Sequence, residues 1–165
     1  MTEQSVLRIK DLDTKHLSEF LEPFHLNLHI LHKDEPIKGS FWGDSEAGLI
    51  QNTLYVREDT PVHSFLHESC HYICMDNSRR LKLNTNAGGN YDEENAVCYL
   101  QIVLADSLKG MTSKRMMKDM DAWGYTFRLG STKAWFEQDA EDAEAWLTEH
   151  LLLDSDKQPT FQLRR

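Results

Sequence analysis

The dipeptide Thr60-Pro61 marks a change of apolar period, and that change constrains the fold more than any other feature of the chain. Ahead of it, apolar residues alternate. From Phe24 to Leu31, Leu26, Leu28 and Ile30 take one side while His25, Asn27 and His29 take the other. Period two predicts a half-buried strand with the histidines towards solvent. Leu49 to Arg57 offers one or two more strands around Asn52, and Thr14 to Leu21 reads as a short helix. Residues 33–46 carry Asp34, Pro36, Gly39, Gly43 and Asp44, which is loop chemistry.

Behind Thr60-Pro61 the pattern is helical. Thr60 is a candidate cap and Pro61 suits a first turn, so a helix is expected from about 60 to 75. Residues 76–91, rich in Asn and Gly, read as loop. Asp92 is the expected cap of a second long helix, reaching about Lys109 with Gly110 as its stop. Thr112 and Ser131 are expected to cap two more, the last running towards Leu152, and the tail from Asp154 to Arg165 is expected to pack poorly. A few strands followed by a helical half predict an α+β fold, a small sheet packed on a mostly helical bundle. No repeat or linker divides residues 1–165, so a single domain is expected.

Twenty-seven acidic against 18 basic side chains give a net charge of -9. Such a chain repels phosphate backbones, which argues against nucleic acid as a partner. Its basic clusters, Arg79-Arg80-Lys82 and Lys114-Arg115-Lys118, are short and read as solvated faces. No apolar run approaches the roughly 20 residues of a membrane span. The start, MTEQSVLRIKDLD, lacks the features of a secretory signal, so a cytoplasmic protein without membrane association is expected. Cys70, Cys74 and Cys98 match no disulfide or zinc-finger spacing and are read as buried thiols.

The chemistry concentrates at His67-Glu68-Ser69-Cys70-His71, an HExxH sequence inside the first long helix. Positions four apart lie one above the other on a helix, so both imidazoles can reach one zinc ion. Glu68 stands about 100° round the helix, where a carboxylate can take a proton from a zinc-bound water. The extended HExxHxxGxxH form is absent, because Cys74 and Asn77 stand where it needs glycine and histidine. The next helix supplies Glu93 and Glu94. Projection puts Glu93 amid the apolar stripe of Val97, Leu100 and Leu104, where a carboxylate is costly unless a cation or hydrogen bonds compensate it, and zinc would do so. Glu93 is therefore the expected third ligand, with Glu94, Cys74 and His150 as alternatives. His63 is read as a rim residue of the site. Tyr91, Tyr125, Arg128 and His150 are possible oxyanion donors, and the aromatic residues from Trp123 to Trp146 are read mainly as core.

His67-Glu68-x-x-His71, a loop, and Glu93-x-x-Ala96 opening a helix resemble the gluzincin peptidases. The likeness is greatest to ImmA/IrrE-type peptidases and minigluzincins, and it covers roughly residues 48–105. Val97 departs from the Asp or Asn usual there. The resemblance implies a zincin-like fold and a zinc metallopeptidase, with peptide or protein substrates lying along an edge strand at Leu54–Arg57. Two alternatives are a zinc hydrolase of non-peptide amides or esters and a non-catalytic metal-binding interaction module.

Overall fold

In the computed structural model, residues 6–165 are described. They form an α+β fold of seven α-helices and a three-stranded sheet. Helix α1 (Thr14–Leu21) starts at Asp13, whose carboxylate accepts from the Lys15 N–H, and it buries Leu17, Phe20 and Leu21. The strands are β1 (Asn27–Ile30), β2 (Gly48–Ile50) and β3 (Thr53–Val56), in the spatial order β1-β3-β2. β1 runs parallel to β3, pairing Asn27 with Thr53 and Ile30 with Val56, and β2 runs antiparallel to β3. The alternation expected in β1 is weak. Ile30 is exposed, and the buried anchors Leu26 and Leu31 lie just outside the strand. As an edge strand, β1 needs no continuous buried face.

β3 is central, with Leu54 and Val56 fully buried. Both of its backbone edges are taken by β1 and β2, so Leu54–Arg57 is not the open edge expected for substrate pairing. The outer side of β2 is also occupied. Gln51 donates its N–H to Leu83 O and Thr85 donates to Leu49 O.

Helix α2 (Val62–Cys74) follows Pro61 directly. The Thr60 hydroxyl accepts from the Arg57 N–H instead of capping the helix. Every residue of α2 is buried, since it lies between the sheet on one side and α4 (Tyr91–Ala105) and α5 (Ser113–Trp123) on the other. Arg80 donates to Tyr72 O and Ile73 O, while Arg164 donates its backbone N–H to Ile73 O and its guanidinium to Cys74 O. Two arginines thus take carbonyls that the helix end leaves unpaired, at the pole where its dipole favours positive charge.

Four expectations change here. The segment read as loop after residue 75 contains a further helix, α3 (Asn77–Leu81), capped by Asp76. α4 starts at Asn90, whose side chain accepts from the Glu93 N–H, and ends at Ala105, so the Asp92 cap and the Lys109 end are both displaced. Thr112 and Ser131 do cap α5 and α6 (Thr132–Gln138), but the final helix breaks at Ala140 and resumes as α7 (Glu141–Glu149). The tail is tied down, by Arg164 and by an antiparallel bridge between Leu153 and Pro159. Among the described residues no helix is long and apolar enough to cross a membrane.

Candidate metal centre

His67 and His71 occupy one face of α2, with ring centroids 4.8 Å apart, and both are buried. The carboxylate of Glu94 bridges them. One oxygen lies 3.2 Å from His67 Nε2 and the other 3.2 Å from His71 Nε2. Two ligand atoms on a tetrahedral zinc, each about 2.0–2.1 Å from the ion, stand roughly 3.4 Å apart. The spacing of nitrogen and oxygen here is that of neighbouring ligands. Half-burial would raise Glu94, but its hydrogen bonds to His67 and His71 hold it well below the usual carboxylate range. This carboxylate is ionised and turned towards both imidazoles.

Glu68 joins the group from α2. Its donor atoms and those of His67 and His71 lie within 4.8 Å of one another. Burial raises its pKa, the two histidines oppose that, and Glu94 adds to it. A second set, His67, Glu94 and Cys98, meets the same distance. These residues can hold a cation, and the orientation of His67 suits that role. Gln101 Nε2 donates to the His63 carbonyl at 3.0 Å, which turns its Oε1 to His67 Nδ1 at 2.8 Å. A carbonyl oxygen only accepts, so Nδ1 carries a proton; Nε2 meets the Glu94 carboxylate as a second donor, and a cation taking the place of that proton would find the Nε2 lone pair aimed at the site. His71 has no comparable support, because its Nδ1 is buried without a partner among the described residues.

Glu93 does not join them. It is buried, as projection required, and a cation does compensate it, but that cation is a pair of arginines. Arg79 grips its two oxygens at 2.8 and 2.6 Å, and Arg164 adds a contact at 3.2 Å. Gly89, at φ +94°, allows this, since a Cβ there would come within 2.5 Å of Glu93 Oε2. The residue beside the histidines is therefore Glu94, whose side chain is 48% exposed and faces the cleft. The rule that a buried carboxylate needs a partner held. What misled was that both partners lie elsewhere in the chain, Arg164 in the tail.

Other sequence candidates separate. His63 is fully buried, not on a rim; its ring lies 5.0 Å from Trp123 and its Nδ1 is 3.2 Å from the Tyr125 hydroxyl. Burial and the neighbouring His67 lower its pKa to about 3, so it is neutral. The Tyr125 hydroxyl accepts from Gln101 and shares a hydrogen bond with His63 Nδ1. Cys74 is buried away from the group and its thiol is pushed well up by burial. His150 packs on Trp146 at 4.1 Å. His25, His29 and His32 are exposed. Arg79 and Arg80 are committed to Glu93 and to the end of α2, and form no basic patch.

A cleft of about 920 Å³ opens over the histidines. It is lined by His67, Glu68 and His71 and by the aromatic residues Trp123, Tyr125, Phe127 and Trp135. These aromatic residues were expected in the core; Trp135 belongs to it and Tyr125 and Phe127 pack against it, and all four also line the cleft. Phe41 and Trp42 form an exposed lip, edge to face at 5.1 Å. Arg57 anchors the lip loop through Glu35 O and Asp44. Gly48 lets it cross β2, since a Cβ there would meet Lys38 O at 1.8 Å. The sequence offered no signal for the lip beyond two adjacent aromatics in a loop. Comparison with known protein families, with characterised proteins and with solved structures finds no match to this chain.

Proposed function

We propose that the chain is a zinc-dependent hydrolase, a metallopeptidase of gluzincin plan, with His67, His71 and Glu94 as metal ligands and Glu68 as general base. One observation carries the reading: the Glu94 carboxylate bridges both Nε2 atoms of an HExxH helix lining a large cleft. When bound, zinc supplies Lewis acidity and lowers the pKa of a coordinated water towards 7. Glu68 then accepts the proton of the attacking water and passes it to the leaving amine. Gln101 holds His67 in the metal-accepting tautomer. Tyr91 lines the cleft with a hydroxyl able to meet a developing oxyanion, whereas Arg128 is bound by Asp139 and the Tyr125 hydroxyl is hydrogen-bonded to His63 and Gln101.

The test is metal content and hydrolysis together. Protein purified without chelator is expected to hold about one zinc per chain, the stoichiometry of a mononuclear site. His67→Ala, His71→Ala and Glu94→Ala should lose it, while Glu93→Gln keeps it. Glu68→Gln should retain zinc and lose at least ~100-fold in peptide hydrolysis. Full zinc occupancy in both histidine variants would sink the assignment.

Cys98 supports a second reading. Its Sγ approaches His67 and Glu94, and a fourth protein ligand would close the coordination shell and make the ion structural. In that case Cys98→Ser releases zinc as readily as Glu94→Ala, and no peptide is cleaved.

A further inference from the structure

The cleft has a charge pattern that the proposed chemistry does not use. Seven carboxylates line it against one guanidinium, and no lysine is among its walls. That guanidinium, Arg128, is already bound by Asp139. Glu68 and Glu94 belong to the candidate centre. Glu46 is half-buried and hydrogen-bonded to Trp123 and Ser64, which leaves Asp92, Glu141 and Asp142 exposed at the mouth with no ion-pair partner among the described residues. They sit in the first turns of α4 and α7, where acids suit the helix dipole. Two separate helices nevertheless aim that charge into one concavity. A cleft lined by one sign of charge focuses its field on a ligand of the other sign.

The second observation is aromatic. Trp42 is 69% exposed, Phe41 53% and Tyr91 79%, and all three face this cleft. Large apolar rings held in water around a cavity mark a binding surface. Their faces attract ammonium and guanidinium groups as well as apolar side chains. The volume lies near the upper end of the roughly 300–1,000 Å³ of small-molecule sites, enough for several residues of an extended chain. Carboxylates at the mouth and aromatic faces at the lip fit one class of ligand.

We propose that the substrate is a basic polypeptide segment, with Lys or Arg side chains held by Asp92, Glu141 and Asp142 and packed against Phe41 and Trp42. This rests on the peptidase reading for what happens to the segment after binding, and on the cleft alone for its recognition.

The test separates the two. Three fluorescein-labelled dodecapeptides, alike except for four Lys, four Gln or four Glu, are titrated into Glu68→Gln protein and followed by anisotropy. The Lys peptide should bind about tenfold tighter than the Gln peptide, the sum of two or three exposed charge pairs, and the Glu peptide should not bind. The preference should fade between 50 and 500 mM salt, about the range over which exposed charges are screened. Asp92→Asn/Glu141→Gln/Asp142→Asn should abolish it, and Trp42→Ala should cut Lys-peptide affinity about threefold. Because the whole chain is acidic, Glu22→Gln/Glu58→Gln/Glu149→Gln, away from the cleft, is the control and should leave the preference intact. Equal binding of Gln and Lys peptides, or equal loss in the control, overturns the proposal. If the Lys peptide binds as expected but wild-type protein cleaves no peptide, recognition stands and the hydrolase reading falls. If wild type cleaves all three peptides alike, the hydrolase reading stands and this one falls.

Discussion

Gln101 shows how much one amide can decide. Its Nε2 is anchored on the His63 carbonyl, so its Oε1 fixes the His67 tautomer. Gln101→Leu keeps the volume and removes that acceptor. Competition with a chelator should show zinc affinity 10–100-fold weaker, the usual cost of losing such support; an unchanged affinity would mean that Gln101 is only packing. His63 makes a different prediction. Its folded pKa of about 3 lies below the unfolded value near 6.5. As pH falls below 6.5, the unfolded chain binds a proton that the fold refuses, so stability drops. One such group costs roughly 2 kcal/mol between pH 7.5 and 5. Other groups titrate too, so the measurement is a difference. His63→Phe, which keeps a ring against Trp123, should lose about that much less over the same interval in urea melts. An identical loss in both proteins would show that His63 is not the cause. At this scale the sequence brought out the grouping of His67, Glu68 and His71 that the structure shows on α2. It could not choose between Glu93 and Glu94, because the choice depends on Arg79 and Arg164 and not on helical projection.

Between elements, the Arg79–Glu93–Arg164 clamp ties α3, α4 and the tail together at the end of α2. By gripping Glu93 it fixes the rotation of α4, and its neighbour Glu94 is thereby turned to the histidines. Arg164→Ala would remove a bond to Cys74 O, a charge from Glu93 and a stack 5.2 Å from Trp146. Arg79 still compensates Glu93, so the expected loss is about 1–3 kcal/mol. For a chain of this length that is a Tm several degrees lower in calorimetry. Amides in the last turn of α2 should also exchange faster with solvent. An unchanged Tm together with unchanged exchange would show that the tail contributes nothing to α2. Helices α1 and α2 were legible from their apolar period, and α5 from its Thr112 cap, while the Thr60 cap expected for α2 is not made. α3 was not, since five residues in an Asn- and Gly-rich stretch carry too little periodicity to stand out.

Across the molecule, the cleft gathers a loop near residue 41, two helices and the stretch from Trp123 to Ala143. None of these adjacencies is written locally in the chain, nor is the strand order that makes β3 central. The α+β class was legible from the change of period alone. The three cysteines report on this assembly. Cys70 and Cys74 are fully buried on α2, and burial raises both thiols. Cys98 is also buried but lines the cleft. The thiolate is the reactive form, and a reagent must also reach it. In native protein, alkylation should therefore modify Cys98 first, through the cleft mouth. Cys70 and Cys74 should react only at the rate of global unfolding, because the face of α2 that carries them is packed in the core, away from the cleft. Zinc bound next to Cys98 should slow its modification further without protecting the other two by more than the gain in global stability. Peptide mass spectrometry along a time course in low urea resolves the three sites. Simultaneous labelling of all three would mean that the cleft and α2 open as one unit, and early labelling of Cys74 would mean that the tail leaves the end of α2 without unfolding the rest.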